Sequence, residues 1–369
     1  MLERVLERQE NPDCNTDPDD LTGVTIDSIA SSVPQHRIPQ DLAQSLATRI
    51  FGKRYPDFCR LVGTFENAGI QSRYSVCPSD WFMEERSWPE RAECYLRGAV
   101  SLYRDVASKA LLASGHDASE IDFLVTVSST GVATPTLEAR VLAEMGFRRD
   151  VKRVPLFGLG CAGGVSGLSI ATRLAQSEPG AKVLFVCLEL CTLSFRSDRL
   201  RKADIIAAAL FGDGAAAACL SADGGSACQI VAGAEYTWPD TLNMMGWDVD
   251  DVGLGVIFDR SIPAFVTENL PPALNYCLDV MGTDRRSIAR FVCHPGGAKV
   301  VDAIETSMKL EPGCLDVERD VLRDFGNMSA PTVLFVLERV LRNGVSGNLV
   351  LTALGPGFTL STLQVRCDG

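Results

Sequence analysis

Short apolar runs alternate with longer amphipathic stretches along most of this chain, as expected for strands and helices packed against each other. Residues 154–159 form one apolar run, which leads into Gly160-Cys161-Ala162-Gly163-Gly164. Small and apolar side chains at helical spacing follow over residues 165–176. That order predicts a strand, a tight turn and a helix, with Cys161 at or near the helix N-terminus. Residues 290–293 read as a second strand that ends at His294. Residues 328–341 read as a helix that follows Asn327. Both predicted helices are apolar on most faces, so both should lie buried between sheets.

The two sets of elements are related by a nearly constant shift. Val292 lies 167 residues after Val125, and each sits in a buried strand entered from a helix end. Asn327 lies 166 residues after Cys161, and Gly347 lies 167 after Gly180. Three matches at one offset predict an α/β fold built from two pseudo-duplicated halves. Such a plan brings the N-termini of the two buried helices to a pseudo-two-fold axis. Cys161, Asn327 and the strand-end His294 are then expected to meet in one pocket. The halves are set at residues 21–225 and 226–369, divided within the Gly/Ser/Asp-containing stretch 221–229. Residues 1–20 are polar, acidic and proline-containing, and read as a flexible arm with a short helix at 2–9.

At 369 residues the chain is long enough for a large core in two lobes. A net charge of -12 leaves no excess basic surface to neutralise phosphates, which argues against general nucleic-acid binding. An anionic substrate would therefore need a local basic patch. No apolar run approaches the ~20 residues of a membrane span. The N-terminus lacks the apolar core of a secretory signal, so a cytoplasmic protein is expected. The 13 cysteines are odd in number, scattered and without a Cys-x-x-Cys pair, which predicts reduced, mostly buried thiols. Three histidines leave no His-rich metal site, and no metal is expected.

A cysteine at a helix N-terminus is favoured as thiolate, and the glycines beside Cys161 leave room for a substrate to approach. Cys, His and Asn together point to thiolate acyl transfer. Each residue alone has an ordinary explanation. Cys161 is core filler, His294 a backbone-bonded strand end, Asn327 a helix N-cap and Phe211 a core side chain. The glycines of Phe211-Gly212-Asp213-Gly214 match no nucleotide fingerprint and read as a structural turn.

Five segments taken together are more specific. They are Gly160-Cys161-Ala162-Gly163-Gly164, Leu210-Phe211-Gly212-Asp213-Gly214-Ala215-Ala216-Ala217, His294-Pro295-Gly296-Gly297, Gly326-Asn327-Met328-Ser329 and Gly355-Pro356-Gly357-Phe358-Thr359. In this order and spacing they resemble the thiolase-like condensing enzymes, and within them the type III polyketide synthases of the chalcone-synthase family. The resemblance spans about residues 24–365. It implies a thiolase-like five-layered αβαβα fold, a homodimer and a catalytic triad of Cys161, His294 and Asn327. It also implies that Phe211 gates the passage between a CoA tunnel and the cavity. Ser329 and Gly355 would belong to the substrate-binding wall. Thr134 and Ser194 stand where the family shapes its starter and cyclisation pockets, and their small size suggests an extended cavity. The second gate phenylalanine of plant members falls on Val256, with Phe258 two residues later as a substitute. The cysteine loop is one residue shorter than the plant pattern, and residues 244–248 and 252–256 look more like bacterial members.

The resemblance further implies a reaction. His294 as imidazolium would stabilise the Cys161 thiolate that attacks an acyl-CoA starter. His294 and Asn327 would then donate hydrogen bonds to the enolate formed when malonyl-CoA loses CO2. The closest likeness is to bacterial alkylpyrone and alkylresorcinol synthases, which implies a medium- or long-chain fatty acyl starter. CoA is the expected donor and an acyl carrier protein the alternative one. The CoA phosphates would need cations, for which Lys53, Arg54, Arg60 and Lys299 are the candidates, each equally readable as a solvated surface charge. Three other functions compete. An initiating β-ketoacyl carrier-protein synthase usually has His-Gln-Ala-Asn where this chain has His294-Pro295-Gly296-Gly297. A hydroxymethylglutaryl-CoA synthase needs a catalytic glutamate, which the sequence does not place. A non-catalytic acyl-binding protein needs no intact triad.

Overall fold

The computed structural model describes residues 20–55, 58–199, 201–222, 225 and 228–368. The arm before Asp20, with its expected helix at 2–9, lies outside the described residues. The strands in chain order are β1 (Asp20–Ser32), β2 (His36–Pro39), β3 (Ser72–Ser75), β4 (Phe123–Val127), β5 (Lys152–Leu156), β6 (Lys182–Leu190), β7 (Asp213–Ser221), β8 (Cys228–Thr237), β9 (Met245–Asp250), β10 (Gly253–Phe258), β11 (Ile288–Cys293), β12 (Gly347–Gly355) and β13 (Thr359–Cys367).

Nine of them run side by side in the order β11-β12-β13-β8-β1-β7-β6-β4-β5. From the centre outward on one side, β1 pairs antiparallel with β7, β7 antiparallel with β6, and β6 parallel with β4. On the other side β8 pairs antiparallel with β13, β13 antiparallel with β12, and β12 parallel with β11. The order and senses repeat, and the repeats join through antiparallel β1 and β8. Val125 stands opposite Phe185 in one repeat and Val292 opposite Leu351 in the other, so the sequence matches are structural equivalents.

These strands are continuous apolar runs because both faces of the sheet are covered. In β7, Ala216, Ala218 and Leu220 face one core while Ala215, Ala217 and Cys219 face another. The Trp88–Ser114 helix covers the outer face of the first repeat. It starts at a capping box between Ser87 and Glu90 and stops at Gly115 in the left-handed conformation. The helices Ile262–Val280 and Ala298–Ser307 pack together over the outer core of the second repeat. Between the repeats lie Gly163–Gln176 and Thr332–Arg342, which completes five layers, αβαβα, of the thiolase-like fold. Gly164 is required where these two central helices meet, since a Cβ there would lie 2.3 Å from the Ala330 carbonyl oxygen.

Two expectations need correction. The helix read from residue 328 begins at Thr332, because Ser329 has φ 60° and Pro331 supplies the N-cap. The thiols are not all reduced: Cys228 and Cys367 form a disulfide, while Cys161 and nine other cysteines are free among the described residues. The β8/β13 register sets Cys228 opposite Cys367 across a separation of 139 residues, which spacing along the chain does not reveal. Among the described residues no helix is long and apolar enough to cross a membrane. Among the described residues no group of three or more His, Cys, Asp or Glu could hold a metal ion.

Candidate active site

Cys161 lies in a 3-10 turn, Gly160–Ala162, between β5 and the Gly163–Gln176 helix, as the sequence pattern predicts. Gly355, the last residue of β12, packs directly on this turn. A Cβ there would fall 2.6 Å from both the Ala162 Cβ and the Leu159 carbonyl oxygen. His294 follows β11 and extends its ladder by one bond, its N–H donating to the Thr352 carbonyl at 2.8 Å. Asn327 is not a helix N-cap. Its N–H donates to Leu210 O at 2.9 Å and its carbonyl accepts from Gly212 N–H at 3.0 Å, a parallel bridge with Phe211. One contact thus aligns the expected gate with the expected triad amide.

The side chains converge. Cys161, His294 and Asn327 line one cavity, whose other walls include Met245, Phe258 and Leu354. Cys161 and Asn327 also line an adjoining cavity with Phe211, Val256, Phe258 and Ser329. The Asn327 amide donates to Gly296 O at 3.0 Å, and its oxygen accepts from the Ser329 N–H at 2.8 Å. That fixes the amide and turns its second N–H toward the Cys161 sulfur. The Cys161 thiol donates to Ser329 Oγ at 3.5 Å. Both ring nitrogens of His294 are buried without a hydrogen-bond partner.

Burial pushes the Cys161 thiol up to about 11, with the nearby Glu189 carboxylate adding to the rise and hydrogen bonding with Ser329 and Asn327 opposing it. Burial pushes His294 down to about 4. The helix terminus was expected to favour thiolate, but such a terminus is worth only about 0.3–1 kcal/mol, less than one pK unit. Desolvation outweighs it, so each group alone is held neutral near pH 7. The imidazolium–thiolate pair does not arise from either site by itself; it requires a joint proton transfer.

Ser194 is buried in the next chamber, its hydroxyl donating to Cys191 O at 2.7 Å. Val256 and Phe258 share one face of β10, so both reach the adjoining cavity. Thr134 does not shape the pocket as expected: it is exposed, precedes a cis proline and lines none of these cavities. Lys53, Arg54, Arg60 and Lys299 are all exposed. Arg54 is partly committed, donating to Ser197 O at 2.8 Å with Glu85 at 3.8 Å. Lys299 stands in the first turn of the Ala298–Ser307 helix, just past His294.

Sequence reasoning missed Glu189. It is fully buried, lines the adjoining cavity with Cys161, and accepts hydrogen bonds from the Ser129 N–H at 2.9 Å and Thr130 Oγ1 at 2.7 Å. Burial pushes its carboxyl up to about 8. The available signal was a lone acidic residue inside the apolar run 183–191.

Residues 81–224 match the family of chalcone and stilbene synthases, N-terminal domain, and residues 229–367 match its C-terminal domain. A Bacillus subtilis (strain 168) protein provisionally named a chalcone synthase is 34% identical over 352 residues, covering 91% of this chain and 96% of that one. The 1,3,6,8-tetrahydroxynaphthalene synthase of Streptomyces peucetius subsp. caesius is 34% identical over 356 residues, with 93% of each chain covered. The solved 1,3,6,8-tetrahydroxynaphthalene synthase from Streptomyces coelicolor A3(2), a bacterial type III polyketide synthase, superposes with a TM-score of 0.89 at 28% identity. That match covers 94% of this chain and 99% of that one.

Proposed function

The chain belongs to the chalcone and stilbene synthase family, and from that premise we propose that it condenses malonyl-CoA repeatedly onto an acyl starter held on Cys161, then lets the chain cyclise. The observation that carries this is the convergence of Cys161, an unpartnered His294 imidazole and the fixed Asn327 amide on one cavity. The imidazole accepts the thiol proton as the sulfur attacks the starter thioester. The carbonyl–sulfur bond to CoA then breaks, and CoA leaves as the thiol with that proton. Malonyl-CoA loses CO2, and the bonding electron pair moves onto the thioester oxygen as an enolate. An N–H of His294 and the Asn327 N–H on the Cys161 side donate to that charge. The enolate carbon attacks the acyl–Cys161 carbonyl, the carbon–sulfur bond breaks, and a β-ketoacyl-CoA two carbons longer is released. Reloading it on Cys161 repeats the cycle.

A medium- or long-chain fatty acyl starter and an alkylpyrone or alkylresorcinol product are supported by the small Ser194 and the apolar walls around it. A second reading rests on the relatives named for tetrahydroxynaphthalene, a product whose name carries no alkyl tail. It makes malonyl-CoA or another short acyl-CoA the starter. The surface cations Lys53, Arg54, Arg60 and Lys299 are the proposed CoA-phosphate contacts. A homodimer is the proposed working unit, and the exposed Val132 and Phe157, each 60% accessible, suit burial against a second copy. The proposed setting is the cytoplasm.

Product mass spectrometry tests the reading. The protein is incubated with labelled malonyl-CoA and starters from acetyl- to stearoyl-CoA, beside Cys161→Ala. Labelled tri- or tetraketide pyrones or resorcinols, absent from the variant, are expected. A single-condensation β-ketoacyl product, or activity only with malonyl-carrier protein, would move the function to an initiating β-ketoacyl carrier-protein synthase. Absence of both product and acyl label on Cys161 would leave an acyl-binding protein.

A further inference from the structure

Resting on the proposed use of His294 and Asn327 as donors to the malonyl enolate, we infer that Glu318 is a positioning residue that sets the spacing between them. Glu318 lies on the helix Asp316–Phe325, which ends shortly before Asn327, and its side chain is fully buried.

The need for this carboxyl arises at the edge of the sheet. β11 has a strand neighbour, β12, on one side only. The His294 N–H turns to that neighbour and donates to Thr352 O at 2.8 Å. The preceding N–H, that of Cys293, therefore faces the open edge. Cys293 is fully buried, so bulk water does not meet that donor, and an unmet buried donor is costly. Glu318 Oε1 accepts from it at 3.1 Å. A second bond closes the frame, the Asn327 amide donating to Gly296 O at 3.0 Å. The segment 293–296 is thus tied to Glu318 at its first residue and to Asn327 at its last, with His294 between the ties. The His294 ring has no hydrogen bond of its own, so its packing and the backbone beneath it decide where its N–H points.

Ion pairing with Arg290 does not account for this placement. One guanidinium nitrogen, Nη2, donates to Glu318 Oε2 at 2.7 Å, while the buried Nε has no partner. A carboxylate placed for its ion pair would engage two guanidinium nitrogens, as forked pairs do. Charged or neutral, the carboxyl keeps an oxygen that can accept from the Cys293 N–H.

Two double variants test the acceptor by itself. Glu318→Gln with Arg290→Leu keeps a carbonyl oxygen for Cys293 and leaves no buried charge. Glu318→Leu with Arg290→Leu removes that oxygen and leaves apolar side chains, an exchange that buried ion pairs often tolerate. Melting temperatures are recorded, and kcat and KM for conversion of malonyl-CoA to acetyl-CoA and CO2 are measured where both variants are fully folded. A reacting group misplaced by about 1 Å can cost about 10²-fold. On that scale the second variant should lose about 10²-fold in kcat with KM little changed, while the first keeps most of the unaltered rate. Equal kcat in the two, or a loss confined to KM, overturns the inference whatever the melting temperatures. Should the second variant not fold, Glu318→Asp decides, because it withdraws the carboxyl by one methylene. Its kcat should fall by about tenfold or more, and an unchanged kcat overturns the inference. An unaltered protein that releases no CO2 from malonyl-CoA removes the proposed reaction itself, a result distinct from equal rates in the variants.

Discussion

At the residue level, one cause acts on the two reactive groups in opposite directions. Burial holds Cys161 as thiol and His294 as neutral imidazole. Moving one proton from sulfur to imidazole creates both charges together, and burial strengthens their attraction. His294→Ala removes the acceptor and leaves the thiol with desolvation alone. The pH midpoint of Cys161 alkylation by iodoacetamide should then rise toward about 11, while the unaltered protein alkylates with a lower midpoint. Superimposable profiles would exclude His294 as the proton acceptor. The positions of Cys161, His294 and Asn327 were legible in the sequence because each carries a glycine-rich or strand-end neighbourhood that limits where it can sit. Glu189 was not, since a carboxyl in an apolar strand shows its environment only when Ser129 and Thr130 are folded against it. Thr134 was misplaced because a position counted along a loop says nothing of which way the loop turns.

At the level of elements, the nucleophile turn rests on a strand from the other half of the chain. Gly355→Ala would drive a Cβ against the Ala162 Cβ and the Leu159 carbonyl, both 2.6 Å away. Overpacking of this kind typically destabilises by about 1–3 kcal/mol. Because the displaced atoms belong to the Cys161 turn, kcat should fall more than KM rises. A lowered melting temperature with unchanged kcat would separate packing from positioning and count against this account. The strand–turn–helix order around Cys161 was readable from apolar periodicity, although β5 ends at Leu156 rather than 159. The start of the second central helix was not readable. It depends on Ser329 adopting a positive φ while its N–H turns back to Asn327, a local exchange that periodicity does not register.

At the level of the whole molecule, the fixed offset between halves disclosed the repeated topology, whereas the Cys228–Cys367 pairing depended on a β8/β13 register invisible before folding. The buried ionisable groups set the pH dependence of stability. Burial raises Glu189 from 4.5 to about 8, Asp213 from 3.8 to about 7 and Glu318 from 4.5 to about 7. A carboxyl that holds its proton more tightly when folded stabilises fully below its unfolded pKa, and that contribution is lost as pH rises through the folded value. His294, lowered from 6.5 to about 4, acts oppositely, stabilising above 6.5 and losing that contribution as pH falls. Three carboxyls outweigh one imidazole. The melting temperature should therefore fall steadily from about pH 5 to about pH 8, checked by calorimetry across that range. A maximum at pH 8 would contradict it. The disulfide adds a constraint of another kind. It joins the first residue of β8 to the last of β13, so the second half is a closed ring when it unfolds. A ring explores fewer shapes than an open chain, by an amount worth roughly 5 kcal/mol for a loop longer than 100 residues in the chain-entropy account. A reductant that opens it would convert that half from a tethered circle into an ordinary linear polymer, and its tendency to unfold would then follow the thiol balance of its surroundings.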